Sequence, residues 1–281
     1  MLKEVFKAPK MMRRRLKNEK IIQKFDRVSD KHYDPVRAEL MMGFERYTID
    51  DLFENSGLAA KMRASEMRML PSNGARVYFS WSIPVFLWTA LLRSEKLYDI
   101  VQHYIGADVR LDDFYVKNVA DGYDATAEGW HDDNVGYRLK VFMVYDVEGV
   151  PAMTIIQPQK RPNMYKLQLK EELLRTLKKK NTETKENELA VKYSAGDCLI
   201  FDTNISHRGS YNQTSGTRYC VVAEFIDRNK ANALRGRAPC GPHQGKGRLI
   251  IPDVGIDLTN HRLIDADILQ VTENKNLYGY V

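Results

Sequence analysis

GWHDDNVGYRLKVFMVYDV, residues Gly129 to Val147, is the stretch on which the fold turns. From Tyr137 to Val147 it is rich in Val, Phe and Tyr and is bounded by Gly136 and Gly149, the pattern of a buried strand between turns. Upstream, FYVKNVADGY (Phe114 to Tyr123) reads as a second strand running into a Gly-containing turn, so His131 falls where one strand has ended and the next begins. Downstream, AGDCLIFD (Ala195 to Asp202) and RYCVVAEFI (Arg218 to Ile226) are short apolar runs of strand length, separated by the turn-rich ISHRGSYNQTSGTRY, Ile205 to Tyr219. The central region therefore reads as mainly β, with chemically useful residues at strand ends, where a rigid scaffold carries its sites.

Those residues are His131 with a carboxylate beside it, His207, and Arg218 eleven positions after His207. Two neutral imidazoles and one carboxylate on one face of a metal leave three positions open, the arrangement that selects non-haem Fe(II) for oxygen chemistry. Both Asp132 and Asp133 follow His131 and either can supply the carboxylate. An arginine at this distance suits a dicarboxylate, because guanidinium grips a carboxylate through two parallel hydrogen bonds and stays charged.

WHDD followed by a strand, then HRGSYNQTSGTRY with His and Arg eleven apart, resembles the phytanoyl-CoA dioxygenase-type branch of the Fe(II)/2-oxoglutarate oxygenases over Phe114 to Ile226. The resemblance implies a double-stranded β-helix, a distorted and cupin-like jelly roll, with flanking helices. It implies His131, Asp133 and His207 as iron ligands, with Asp133 preferred to Asp132, and Arg218 as the partner of the distal carboxylate of 2-oxoglutarate. O2 is then the other co-substrate, and succinate, CO2 and a hydroxylated product are expected. Halogenating relatives replace the ligand carboxylate by a small residue; Asp133 is present here, which favours a hydroxylase, desaturase or other oxidative outcome over halogenation. By the same resemblance Arg76, in GARVYFSW, is a candidate second co-substrate contact. The chain departs from the family at EGVPAMTIIQPQKRP (Glu148 to Pro162), where a segment similar to PGSH is usual.

With 281 residues the chain suits one oxygenase domain: residues 1–70 mostly helical, 71–230 the β-helix core with an insertion at 160–192, and 231–281 a C-terminal loop and tail. The insertion is expected to be either a lid over the iron or a helix packed outside the barrel. The longest apolar run, IPVFLWTALL, is broken by Pro84 and falls short of the ~20 residues that span a bilayer. Cys198, Cys220 and Cys240 are odd in number and lack C-x-x-C spacing, and the charged N-terminus has no apolar signal core, so a cytoplasmic setting is expected.

Residues 1–20 hold eight Lys or Arg and two Glu, an excess of six that equals the net charge of +6; the remainder has 35 residues of each sign. A neutral body argues against nucleic acid as the main partner and favours a small-molecule substrate. The basic N-terminus is expected to be an outer helix of the fold or a solvated arm, with contact to an anionic membrane surface as the alternative. Between Asp227 and Asp253 there is no acid but six basic residues, among them Arg235 and Arg237, the candidates for holding an anionic substrate. Two other classes stay in view: a nucleic-acid demethylase with the same ligand pattern, and a non-oxidative metal-binding cupin. Arg218 separates the last, which has no need of a cation there.

Overall fold

The structure, a computed structural model, describes residues 8–29, 44–70, 76–78, 80–119, 129–133, 135–149, 153–157, 186–209, 216–234 and 248–272. Its long strands are those expected: β3 (Val109–Asn118), β4 (Arg138–Glu148), β7 (Asp197–Asp202) and β9 (Thr217–Asp227). With β1 (Glu45–Thr48) and β2 (Arg76–Tyr78) at its edges they form one antiparallel sheet in the order β1-β7-β4-β9-β3-β2. A second antiparallel sheet, β6-β5-β8, joins β5 (Thr154–Ile156), β6 (Leu189–Val191) and β8 (His207–Gly209). Two facing antiparallel sheets make a jelly roll, and the fold is mainly β with helices on the outside.

Strand alternation divides the large sheet into two faces. One face carries Tyr115, Phe142, Val144, Leu199, Phe201, Cys220 and Val222, which pack with Ile156 and Val191 of the small sheet to form the interior of the roll. The other carries Phe114, Leu139, Val141, Met143, Ile200 and Phe225 and is covered by helices. Of these, α4 (Val85–Arg93) and α5 (Glu95–Ile105) bury Leu87, Trp88, Leu91, Leu97, Val101 and Tyr104. Trp88 meets Phe114 edge-on at 4.7 Å between ring centroids, so this part of the apolar run IPVFLWTALL packs helix to sheet. Ser94 closes the break between the two helices, its Oγ accepting from the Leu97 amide.

The N-terminal region holds α1 (Ala8–Ser29), α2 (Ile49–Leu52) and α3 (Leu58–Arg63), yet it also supplies β1, which pairs with β7. Asn18, Ile22 and Asp26, spaced by four, are the buried stripe of α1, while Arg13, Lys17, Lys20 and Lys24 face outward. From Ala8 onward the basic segment is thus an outer helix of the fold. Lys230, on α6 (Arg228–Leu234), places its Nζ 2.7 Å from Asp26 Oδ1 and donates at 2.7 Å to the Tyr137 carbonyl. Asp26 Oδ2 accepts from the Tyr137 amide at 3.1 Å. Next to it, Gly136 has φ +72°, and a Cβ there would strike the Asp26 carboxylate and lie 2.5 Å from Ile22 Cγ2, so only glycine lets α1 seat against this turn. The C-terminal tail is more ordered than a loop: β10 (Leu249–Pro252) and β11 (Leu269–Thr272) pair in parallel. No helix among the described residues is long and apolar enough to cross a membrane.

Candidate metal centre

His131 and His207, 76 positions apart, are joined backbone to backbone. His131 N donates to the His207 carbonyl at 3.0 Å and His207 N to that of His131 at 2.9 Å, an antiparallel bridge that extends the small sheet beyond β8. Asp133 N donates to the Thr203 carbonyl at 3.1 Å, which anchors the third residue to the same corner. One ligand atom from each of His131, Asp133 and His207 can be chosen so that all lie within 4.8 Å of one another, and this is the only such set among the described residues. Asp132, although buried, is not part of it.

Each imidazole is oriented through its far nitrogen. His131 Nδ1 lies 2.8 Å from the Gly129 carbonyl and His207 Nδ1 lies 2.9 Å from that of Ile205. A carbonyl only accepts, so in both rings Nδ1 carries a proton and Nε2 is the nitrogen left to face a metal. Burial, helped by neighbouring His131, pushes the His207 imidazole down to about 3, so it is neutral at physiological pH. Burial alone would raise the Asp133 carboxyl, but the charges of Lys140 and Arg138 hold it well below the usual carboxylate range. The corner therefore offers the Nε2 atoms of two imidazoles and one anion.

Arg218 lies on β9 with its backbone bridged to Val119 at 2.8 and 3.0 Å, and it is buried. Alternation along β9 puts its side chain on the face of Cys220 and Val222, inside the roll. The guanidinium sits 4.4 Å from the Tyr193 ring centroid and 5.6 Å from that of Phe142. Phe142 stacks on Phe201 at 5.6 Å, and Phe201 meets the His207 ring edge-on at 5.4 Å. An apolar wall thus runs from the arginine to the imidazole. Tyr193 and Thr154 share a short hydroxyl contact beside Arg218; burial raises the Tyr193 phenol, while Arg218 acts to lower it.

Behind Asp133 lies a buried charge cluster on the interior faces of β3, β4 and β9. Lys140 Nζ is 3.1 Å from Asp133 Oδ2 and 3.0 Å from Glu224 Oε1. Glu224 is paired with Arg138 and accepts from the Tyr115 hydroxyl at 2.9 Å. Arg138 also reaches Asp112 at 3.1 Å. Sequence reading missed Lys140, Arg138 and Glu224, although period two along RLKVF marks Arg138 and Lys140 as sharing the face of Phe142. Tyr193 and Thr154 carried no local signal.

Arg76 stands on edge strand β2 with its backbone opposite Asn118; its side chain lies outside the described residues. So do Arg235, Arg237 and most of the 160–192 insertion. Two cations of the same basic stretch are structural: Arg228 donates to the Arg262 and Ile264 carbonyls at 3.4 Å, and Lys230 is the buried partner of Asp26.

No family model matches the chain, and no curated protein matches it. Among solved structures it is similar to HygX from Streptomyces hygroscopicus. Against HygX with nickel and 2-oxoglutarate bound, the TM-score is 0.53 at 14% identity, covering 70% of this chain and 88% of that one. Against HygX with nickel, 2-oxoglutarate and hygromycin B bound, the TM-score is 0.51 at 13% identity with the same coverage. Apo HygX gives 0.51 at 16% identity, covering 67% of this chain and 84% of that one. At such identity the likeness is one of fold.

Proposed function

We propose that this protein is an Fe(II)/2-oxoglutarate-dependent oxygenase that hydroxylates a small organic molecule. The observation that carries the reading is the pair of imidazoles whose Nδ1–H groups are committed to backbone carbonyls, leaving two Nε2 lone pairs beside one carboxylate. Two nitrogens and one oxygen on one side of a site are the donor set of non-haem Fe(II) oxygenases, so the residues fit the metal. HygX, which shares the fold, holds iron in one structure and nickel with 2-oxoglutarate in another, in agreement with the same assignment.

His131, Asp133 and His207 would hold the iron. Iron bound here would activate O2, the oxidant for C–H chemistry, with 2-oxoglutarate giving up two electrons as it is converted to succinate and CO2. Arg218 would take the distal carboxylate of 2-oxoglutarate, with the hydroxyls of Tyr193 and Thr154 close enough to complete its hydrogen bonds. Phe142 and Phe201 keep the space between Arg218 and His207 apolar, which strengthens the guanidinium–carboxylate pairing and excludes water. An arginine buried in the roll is what a non-oxidative cupin would not need.

The test is succinate release from 2-oxoglutarate by the purified protein with Fe(II) and ascorbate, followed across a panel of small molecules. Asp133→Ala and His207→Ala should each abolish release. Arg218→Ala should weaken 2-oxoglutarate binding by roughly 2–5 kcal/mol, the cost of stripping one partner from a buried charge pair. Full activity in Asp133→Ala, or unchanged 2-oxoglutarate affinity in Arg218→Ala, would overturn the assignment.

A further inference from the structure

Carboxylate ligands bind metals through one oxygen or through both. If Asp133 used both, it would occupy one of the three positions that two histidines and a carboxylate leave open. The co-substrate and O2 together need all three. Something must therefore keep the second oxygen away from the metal.

The two oxygens of Asp133 have different surroundings. Oδ1 is turned toward the site, 3.9 Å from His207 Nε2. Oδ2 points the other way and meets Lys140 Nζ at 3.1 Å. Arg138 also faces Oδ2, but at 3.6 Å, beyond hydrogen-bond reach, and it is already engaged by Asp112 and Glu224. Lys140 is thus the cation that takes this oxygen. Its position is set by the fold: it is the third residue of β4, which is paired into the sheet on both sides, with Phe201 and Glu224 as its cross-strand neighbours. Glu224 grips the ammonium at 3.0 Å and is itself fixed by Arg138 and the Tyr115 hydroxyl. Only 13% of the Lys140 side chain is exposed, so solvent competes little for the contact.

We propose that Lys140 is a positioning residue that holds Asp133 to a single ligating oxygen and so preserves an open position on the metal. The inference rests on reading the site as a metal centre, and it assigns Lys140 a role in coordination number rather than in chemistry. Glu224 and Tyr115 serve it by keeping the ammonium aimed at Oδ2. Lys140→Met keeps an unbranched apolar stem of similar reach, one atom shorter, and removes the charge and the donors, freeing Oδ2 to swing onto the metal.

The experiment counts metal-bound water. Mn(II) is added to the metal-free protein and water-proton relaxation is measured without co-substrate, so no turnover is involved. The wild-type complex should show about three exchangeable waters, and Lys140→Met about two, a drop in relaxivity of about one third. Lys140→Gln, too short to reach Oδ2, should behave as Lys140→Met does and serves if the methionine variant fails to fold. A wild-type protein that binds no Mn(II) would refute the metal centre itself. Wild type already at two waters, a folded variant still at three, or a folded variant that has lost Mn(II) would each overturn the role of Lys140 while leaving the metal centre standing.

Discussion

Asp202 shows how one residue sets a pH dependence for the whole molecule. At the end of β7 it is fully buried, accepting from the Tyr104 hydroxyl, from Asn204 N at 2.8 Å and from Arg138 N at 3.4 Å. Burial pushes its carboxyl up to about 7, against the hydrogen bonds that act to lower it. A folded-state value raised above the unfolded one, ~3.9, means that the native state holds a proton which the unfolded chain has lost. Its contribution is complete below about pH 4 and declines as pH rises toward 7, at about 1.4 kcal/mol per pH unit within the window. Asp202→Asn stays neutral, so the stability difference between variant and wild type should shift in the variant's favour from pH 4 to pH 7. Urea denaturation across that range checks it, and a difference that does not change with pH would show that the carboxyl titrates in the ordinary range.

At the scale of elements, the docking of α1 is decided by a few atoms rather than by its charge. The helix is strongly basic, yet it is held through its one buried acid, Asp26, between Lys230 on α6 and the amide of Tyr137 at the start of β4. Lys230→Met takes the charged partner from a buried carboxylate, at a cost of roughly 3–5 kcal/mol. Limited proteolysis should then cut α1 first, and the double variant Asp26→Asn/Lys230→Met should recover part of the loss. Equal protease resistance in wild type and Lys230→Met would mean that Ile22 and its apolar neighbours suffice to seat the helix. The turn that α1 supports, 135–137, begins two positions after Asp133, so α1 also borders the segment that carries two of the three candidate ligands.

For the whole molecule, the expected consequence is linkage between metal and fold. His131 and His207 come from segments joined only through the roll, so metal bound there should stabilise the native state over the unfolded chain. At one hundred times its dissociation constant a ligand adds about 2.7 kcal/mol. A chain of this size should therefore gain roughly 5 °C in Tm on adding Ni(II) or Mn(II), and lose it again with a chelator. His207→Ala should show no such shift. An equal rise in that variant would place the bound metal elsewhere.

The sequence by itself determined the class of fold and the identity of the ligand candidates. Apolar runs of strand length at 137–147, 195–202 and 218–226 mark strands because burial on both faces of a sheet leaves that imprint locally, and His131, Asp133, His207 and Arg218 have side chains whose chemistry does not depend on context. Only the tertiary structure decided which of these groups meet and in what state. That His131 and His207 are backbone neighbours, that Gly129 and Ile205 set their tautomers, that Asp133 rather than Asp132 faces them, and that Lys140 and Glu224 form a cross-strand pair behind it are all long-range facts. So is the docking of a basic helix through its buried acid, and the pairing of residues 45–48 with β7 as an added edge strand. The reason is physical. Propensity and hydrophobic period act between residues a few positions apart, whereas register, burial and the partner of a charge are set only when strands distant in sequence close into a sheet.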